Sequence, residues 1–236
     1  MAESNLEQNN NSVAEGASAK VENIASAGRA ARDEEAAAGR EPTSDASRDW
    51  ARLKQMAFWH GTGVIAAFTL FGAAHSWAAL SGWPLAVVVS FAAAVVAGMA
   101  LSSLFHEWGH FSGARLSGAV SPVLKKPHKL FFMFRFDMAA NSVRQALWMS
   151  WGGLSGSWGL VALVALLVPM DSWASAALLA TVFGRAVNAS SFEVPIILRT
   201  RRSGEFEQEL NAQLNGPGIV QVPGLIAGLA ALAVLT

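Results

Sequence analysis

The chain has 236 residues, of which 53% are hydrophobic and 14% are charged, with 21 glycines and 9 tryptophans. This composition is too apolar for an ordinary soluble domain of the same length, so it predicts a membrane protein that contacts the lipid bilayer. The 17 basic residues balance the 17 acidic residues, and there is no cysteine. A nucleic-acid partner is therefore not expected, and disulfide bonds and thiolate metal sites are excluded.

Residues 1–54 are polar, rich in Ala, Glu, Ser, Asn and Arg, with no aromatic residue before Trp50. Such a segment cannot bury enough apolar surface to offset the entropy lost on ordering, so we expect a disordered tail. Because no apolar run comes earlier, the first hydrophobic segment is interpreted as a membrane span and not as a cleaved leader. Residues 55–236 are then predicted to form a transmembrane domain.

Apolar segments recur along this domain, and about 20 helical residues suffice to cross a bilayer. We therefore predict an all-α integral membrane protein of four to five transmembrane helices, the last of them short. The predicted spans cover about residues 57–80, 85–110, 146–168, 173–198 and 217–235. Residues 130–138, LFFMFRFDM, are aromatic and short, which predicts a strand or hairpin at the membrane surface. This β segment either pairs with a substrate as an added strand or serves as an amphipathic anchor.

Basic residues set the expected orientation. They lie just before the first span, in the connection at residues 113–144, and at residues 199–202. The turns on the opposite side, residues 81–84 and 169–172, contain no Lys or Arg. Positive charge concentrates on the cytoplasmic side, so we expect a multi-pass protein with a cytoplasmic N-terminus, in a bacterial inner or plasma membrane.

The second span ends in His106-Glu107-Trp108-Gly109-His110, an H-E-x-x-H motif. Residues four apart share a helix face, so both histidines can bind one metal ion. Zinc lowers the pKa of its water to about 7, and Glu107, one step round the helix, can take the released proton as a general base. Ionisable residues at the end of a membrane-length apolar helix are functional candidates, which favours a metal site over two ordinary surface histidines.

Catalytic zinc needs a third protein ligand. The longer pattern with a third histidine would place it at position 116, which is Leu116, so that class of site is rejected. Glu193 lies inside the fourth span at the expected depth of the histidines, and a buried carboxylate needs a partner, either zinc or Arg185 two turns away. Glu205, expected at the membrane edge, is the alternative ligand.

The motif, followed by Ala114 and Gly118 at four-residue steps, resembles the H-E-x-G-H-x-x-x-A-x-x-x-G signature of site-2 protease-like intramembrane zinc metalloproteases. The pair Gly152-Gly153 resembles the start of that family's next core helix, without its proline. These two glycines either keep a gap next to the zinc or pack helices closely, and we expect packing.

A later core helix of that family contains an Asn and a Pro, matched here by Asn188 and Pro195, before an Asp-Gly that supplies the third zinc ligand. No Asp-Gly occurs in this region. The resemblance implies hydrolysis of a peptide bond in or near the membrane, with one Zn²⁺ per chain and a membrane-protein substrate. Asn188 would bind the substrate backbone or the developing oxyanion.

Two other functions compete with the protease. The missing Asp-Gly favours a catalytically inactive membrane protein of the same fold, which acts as a binding or regulatory partner. A di-iron hydroxylase would need many histidines, whereas the chain has 5. Whether Glu193 or Glu205 approaches the histidine pair separates the enzyme from the inactive protein.

Overall fold

The computed structural model describes residues 42–128, 132–216 and 221–236. Across these ranges the chain is mostly helical, with one small antiparallel sheet, as predicted for the fold class. The elements in chain order are α1 (Pro42–Ser81), α2 (Pro84–Leu116), β1 (Val123–His128), β2 (Phe132–Phe134), α3 (Val143–Leu167), α4 (Trp173–Ser203), α5 (Phe206–Leu214) and α6 (Val222–Leu235).

Residues 51–236 belong to one compact unit, and the described residues 42–50 belong to another. Helix α1 begins at Pro42, so residues 42–54 are helical where we expected the end of a disordered tail. Proline is tolerated at the first helical position because its missing N–H would be unpaired there anyway. The prediction for residues 1–41 lies outside the described residues.

Within the described ranges, three helices are long and apolar enough to cross a membrane, Ala46–Ser81, Pro84–Leu116 and Val143–Leu167. Helix α4 has 31 residues, or about 46 Å of length, but polar residues such as Arg185 and Glu193 lower its hydropathy. Helix α6 has 14 residues, or about 21 Å, which is shorter than a hydrocarbon core of about 30 Å. The structure is therefore compatible with a membrane protein and shows three candidate spans, where we predicted four to five.

A tight turn between α1 and α2 was predicted at residues 81–84 and is confirmed. Gly82 has φ 62°, a left-handed conformation that favours glycine. Pro84 then starts α2 at a position where no N–H is needed. The two long apolar helices are thus connected by only two residues.

Helices α2, α3 and α4 pack against one another, and α4 also packs against α5 and α6. Much of the core between these helices is built from small or aliphatic side chains, including Ala94, Leu101, Leu160 and Leu178, all almost fully buried. Helix α4 lies among the others, which explains why a helix with several polar residues has so many buried positions.

Of the β segment predicted at residues 130–138, Phe132–Phe134 form β2, which pairs antiparallel with β1, with Val123 opposite Phe134. Residues 135–138 are not in a strand, and residues 130–131 lie outside the described residues. We did not predict β1, because its sequence VLKKPH contains two lysines and a proline. Met133 of β2 is fully buried and packs with Met56, Phe111 and Val123. The hairpin is therefore anchored against α1 and α2.

Candidate metal centre

Helices α2 and α3 approach each other through glycines spaced four residues apart on each helix. A Cβ added at any of these glycines would meet backbone atoms of the opposite helix. Small residues permit helix backbones to come this close. The packing role predicted for Gly152 is thereby confirmed, whereas a Cβ at Gly153 would meet the imidazole ring of His110, so Gly153 leaves room beside that ring. The glycines are Gly109 and Gly113 on α2, and Gly152 and Gly156 on α3.

This contact places both motif histidines against backbone carbonyls of α3. His106 Nδ1 lies 3.1 Å from Gly153 O and 2.9 Å from Ser157 Oγ. His110 Nδ1 lies 2.9 Å from Met149 O. A carbonyl oxygen can only accept, so each Nδ1 holds a proton and donates it, which leaves each Nε2 as a free acceptor in the neutral ring.

The two Nε2 atoms converge with one carboxylate oxygen of Glu193. His106 Nε2 and His110 Nε2 are 3.0 Å apart, and they lie 2.9 Å and 3.1 Å from Glu193 Oε1. Three atoms with lone pairs repel at this distance unless a metal ion or a proton lies among them. In the described part of the chain, these three residues form the group that could hold a metal ion.

The surroundings of Glu193 also fit a metal. The side chain is buried, and its second oxygen, Oε2, has no hydrogen-bond partner among the described residues. A buried carboxylate oxygen without a partner is costly, and a bound cation would relieve that cost. The alternative partner proposed from the sequence, Arg185, is exposed and forms no ion pair with Glu193.

Glu107 lies beside this group. It is buried and close enough to interact electrostatically with His106, His110 and Glu193. Its Oε1 accepts a hydrogen bond of 3.1 Å from the backbone N–H of Met133. The candidate general base is therefore held by strand β2.

The structure does not bring the other two predicted site residues to this group. Glu205 is the exposed N-cap residue of α5. Asn188 precedes Glu193 by five residues, which rotates it by about 140° around α4. Its Cα and Cβ lie beside Gly224 of α6. A substrate or oxyanion role for Asn188 stays a prediction without support from the geometry.

No protein family, curated protein or solved structure matches this chain. The resemblance to site-2 proteases therefore depends on the motif residues alone. What the site can do must follow from its own chemistry. That chemistry is two oriented imidazoles, one buried carboxylate between them and a second carboxylate nearby.

Sequence reasoning missed the groups that orient these side chains. They are the carbonyls of Met149 and Gly153, the hydroxyl of Ser157 and the amide of Met133. One pattern in the sequence could have indicated that α3 packs on the histidine-bearing helix. Gly152 and Gly156 are four residues apart, which is also the spacing of the two histidines. A backbone carbonyl or amide leaves no signal of its own in a sequence.

Proposed function

We propose that this protein is an intramembrane zinc metalloendopeptidase. It hydrolyses peptide bonds of membrane-embedded or membrane-proximal substrates near the cytoplasmic face, in a multi-pass protein whose N-terminus is cytoplasmic. The observation that supports this most strongly is the convergence of His106, His110 and Glu193, with Glu107 beside them. Two histidines and a glutamate are a ligand set of catalytic zinc, and an H-E-x-x-H helix is typical of metallopeptidases.

His106, His110 and Glu193 would hold the metal. The carbonyls of α3 keep both imidazoles in the tautomer that leaves Nε2 free to bind it. When bound, zinc supplies activation of water and polarisation of the substrate carbonyl. Glu107 takes the proton from the attacking water and delivers it to the leaving amine, as a general base and then a general acid.

Strand β2 has a defined part in this proposal. The amide of Met133 holds Glu107 Oε1, which fixes the orientation of the carboxylate and leaves Oε2 for proton transfer. A helical substrate hides its carbonyls in hydrogen bonds, so the scissile segment must be extended at the site. A β hairpin beside the general base is a suitable surface for such an extended segment.

The second candidate is a metal-binding membrane protein of the same fold that does not turn over substrate and acts as a binding or regulatory partner. The observation that favours it is the absence of an Asp-Gly in the region of Glu193, since that pair supplies the third zinc ligand in the family that the motif resembles. Both candidates predict a bound metal, so metal content and proteolysis must be measured separately.

Metal content is the first test, by elemental analysis of the protein purified in detergent. We expect one zinc ion per chain for the wild type, loss of zinc in Glu193→Ala, and retention in Glu205→Ala and Glu107→Gln. Retention in Glu193→Ala would contradict the proposed ligand set. Iron in place of zinc would contradict the peptidase, because two histidines and a carboxylate also bind iron in oxygenases.

Proteolysis is the second test, and Glu107→Gln is its matched control because it should keep the metal. Membranes from cells that express the wild type or Glu107→Gln are compared by mass spectrometry of protein N-termini. The peptidase predicts new N-termini within or beside the spans of membrane proteins, in the wild-type sample alone. Identical N-termini in two zinc-loaded samples would support the non-catalytic candidate.

A further inference from the structure

A second close contact between helices lies away from the metal group, where α6 packs on α4. Gly184 of α4 faces Gly224 and Gly228 of α6, and Asn188 of α4 lies beside Gly224. Next to this contact is a cavity of about 440 Å³ among α2, α4 and α6. That volume is within the range of small-molecule sites.

The cavity is apolar along most of its length and polar at one end. Helices α2 and α6 line it with aromatic and aliphatic side chains, including Phe91, Met99, Leu225 and Leu232. The polar lining consists of Arg185, Asn188 and Gln221 together with Thr181, whose hydroxyl donates to Ala177 O within α4. Gln221 is the N-cap residue of α6, and Asn188 lies beside the first turn of that helix, so the polar end is at the start of α6.

Two of these polar groups have no partner in the part of the chain that the structure describes. Asn188 Oδ1 is buried without a hydrogen bond, and because an amide oxygen only accepts, it makes this end polar without attracting an anion. The guanidinium of Arg185 forms no ion pair or hydrogen bond there. A charged group within a membrane-length helix is costly unless it is paired, and its usual partners are functional ones. The positive dipole end of α6 adds to the attraction of this end for an anion.

We propose that the cavity binds a long-chain fatty acid, with its carboxylate accepting from the guanidinium of Arg185 and its acyl chain along the apolar walls. One positive charge at the end of an apolar cavity is the complement of such an amphiphile. A second transmembrane helix is a poorer occupant, because it is 10–12 Å across and the cavity lies among three helices of the same chain.

The position along α4 suits this ligand. Arg185 lies about 12 Å and Asn188 about 8 Å from Glu193 along the helix axis. With the metal group near the cytoplasmic edge of the bilayer, as in the proposed function, Arg185 lies about 12 Å deeper in the membrane, where an unpaired charge is costly. A carboxylate bound there would neutralise that charge while its acyl chain lies along the apolar walls. The pairing itself does not depend on zinc or on proteolysis.

Spin-labelled stearate is the probe, titrated into the full-length protein in detergent and followed by electron paramagnetic resonance. The wild type should immobilise about one label per chain, as expected for one cavity of this size. Arg185→Gln should bind roughly tenfold more weakly, the effect of losing one charge-assisted hydrogen bond. Arg201→Gln is the matched control, since Arg201 is on the same helix, is exposed and does not line the cavity.

Three results would overturn the proposal. They are no immobilised label in the wild type, equal binding by Arg185→Gln, and equal competition by uncharged stearamide. Displacement of the label by phosphatidylglycerol but not by unlabelled stearate would assign the cavity to a bilayer lipid and also contradict it. Zinc content is measured on the same samples, where Arg185→Gln should match the wild type. A fold defect, or failure of the peptidase proposal, is thereby separated from loss of the fatty acid.

Discussion

Two helix contacts in this chain are built in the same way and differ in the polar groups beside them. Helices α2 and α3 meet at Gly109 and Gly152, and helices α4 and α6 meet at Gly184 and Gly224. At the first contact the histidines have hydrogen-bond acceptors on the opposite helix. At the second, Asn188 Oδ1 has no partner within the described ranges.

The difference shows that a glycine contact sets a distance and does not by itself set a function. At the α2–α3 contact, the short distance makes helix carbonyls available as second acceptors for imidazole N–H groups. This fixes the tautomer of each ring and directs both Nε2 atoms to Glu193. At the α4–α6 contact the same distance leaves a cavity to one side, and its polar groups face that cavity.

Gly152→Ala should have the largest effect on stability and zinc content. The new Cβ would meet the backbone of Gly109, and neither backbone can move without separating α2 from α3. We expect the free energy of unfolding to fall by about 1–3 kcal/mol, the usual cost of overpacking. Zinc should also be lost, because the carbonyls that orient the histidines recede. Thermal unfolding followed by circular dichroism, together with zinc content, measures both effects.

The control for that variant is Gly159→Ala on the same helix, where an added Cβ meets nothing within 4 Å. Its unfolding free energy should stay within about 0.5 kcal/mol of the wild type or rise slightly, since alanine favours helix. If both variants unfold alike and keep zinc, the close α2–α3 contact does not organise the metal group.

Gly153→Ala should separate metal affinity from stability at the same contact. Its Cβ would meet the imidazole ring of His110, which can rotate away, so the helices need not part. Zinc affinity should fall about 10–100-fold, as for other changes that misorient a ligand. Competition with a chelator of known affinity measures this, and an unchanged affinity would show that the ring position is not critical.

The sequence predicted the parts of the site that depend on one helix at a time. His106, Glu107 and His110 follow from spacing within α2, and Glu193 follows from its depth along α4. Asn188 was predicted from depth alone, without the angle around the helix, which differs by about 140° from that of Glu193. The contacts of Ser157 and Met133 depend on how separate elements pack, and no local pattern specifies that register.

The fold, like the site, could be predicted from the sequence only where it depends on local patterns. The starts of α2, α3 and α4 lie within three residues of the predicted starts, because apolar length and helix start signals are local, whereas α2 and α4 continue six and five residues beyond their predicted ends. Strand β1 is stabilised by pairing with β2 and by Val123 in a buried cluster, which its own lysines and proline do not indicate. Tertiary packing therefore overrides local propensity there.

Ser157→Ala should have a smaller effect on zinc affinity, and it distinguishes the hydroxyl of Ser157 from the carbonyl of Gly153 as the partner that orients His106. His106 Nδ1 would lose the hydroxyl but keep the carbonyl of Gly153 as an acceptor. Zinc affinity should therefore fall by no more than about tenfold, the lower end for loss of such a partner. Ser103→Ala is the control, because that hydroxyl donates only to Met99 within α2 among the described bonds. A loss as large as that of Gly153→Ala would mean that the hydroxyl, and not the carbonyl, orients the ring.

Gly224→Ala tests whether the two contacts are independent, and it should have the smallest effect on the metal group. Its Cβ would meet Gly184 O and the side chain of Asn188, so α6 must move away from α4. Helix α6 packs chiefly against α4, and it can move without separating α2 from α3. We expect unchanged zinc content, a loss of about 1 kcal/mol in stability, and faster hydrogen exchange confined to α6.

Gly228→Ala is a milder version of the same change, because its Cβ would lie 3.1 Å from Ala180 O, a contact that a small shift relieves. Its effect on α6 exchange should be weaker than that of Gly224→Ala, and its zinc content should also match the wild type. Zinc loss in either variant would couple α6 to the metal group, and the two glycine contacts would then be parts of one site. If both variants keep zinc and hydrogen exchange in α6 is faster in Gly224→Ala than in Gly228→Ala, metal binding depends on the packing of α2, α3 and α4. Helix α6 then contributes only to the neighbouring cavity.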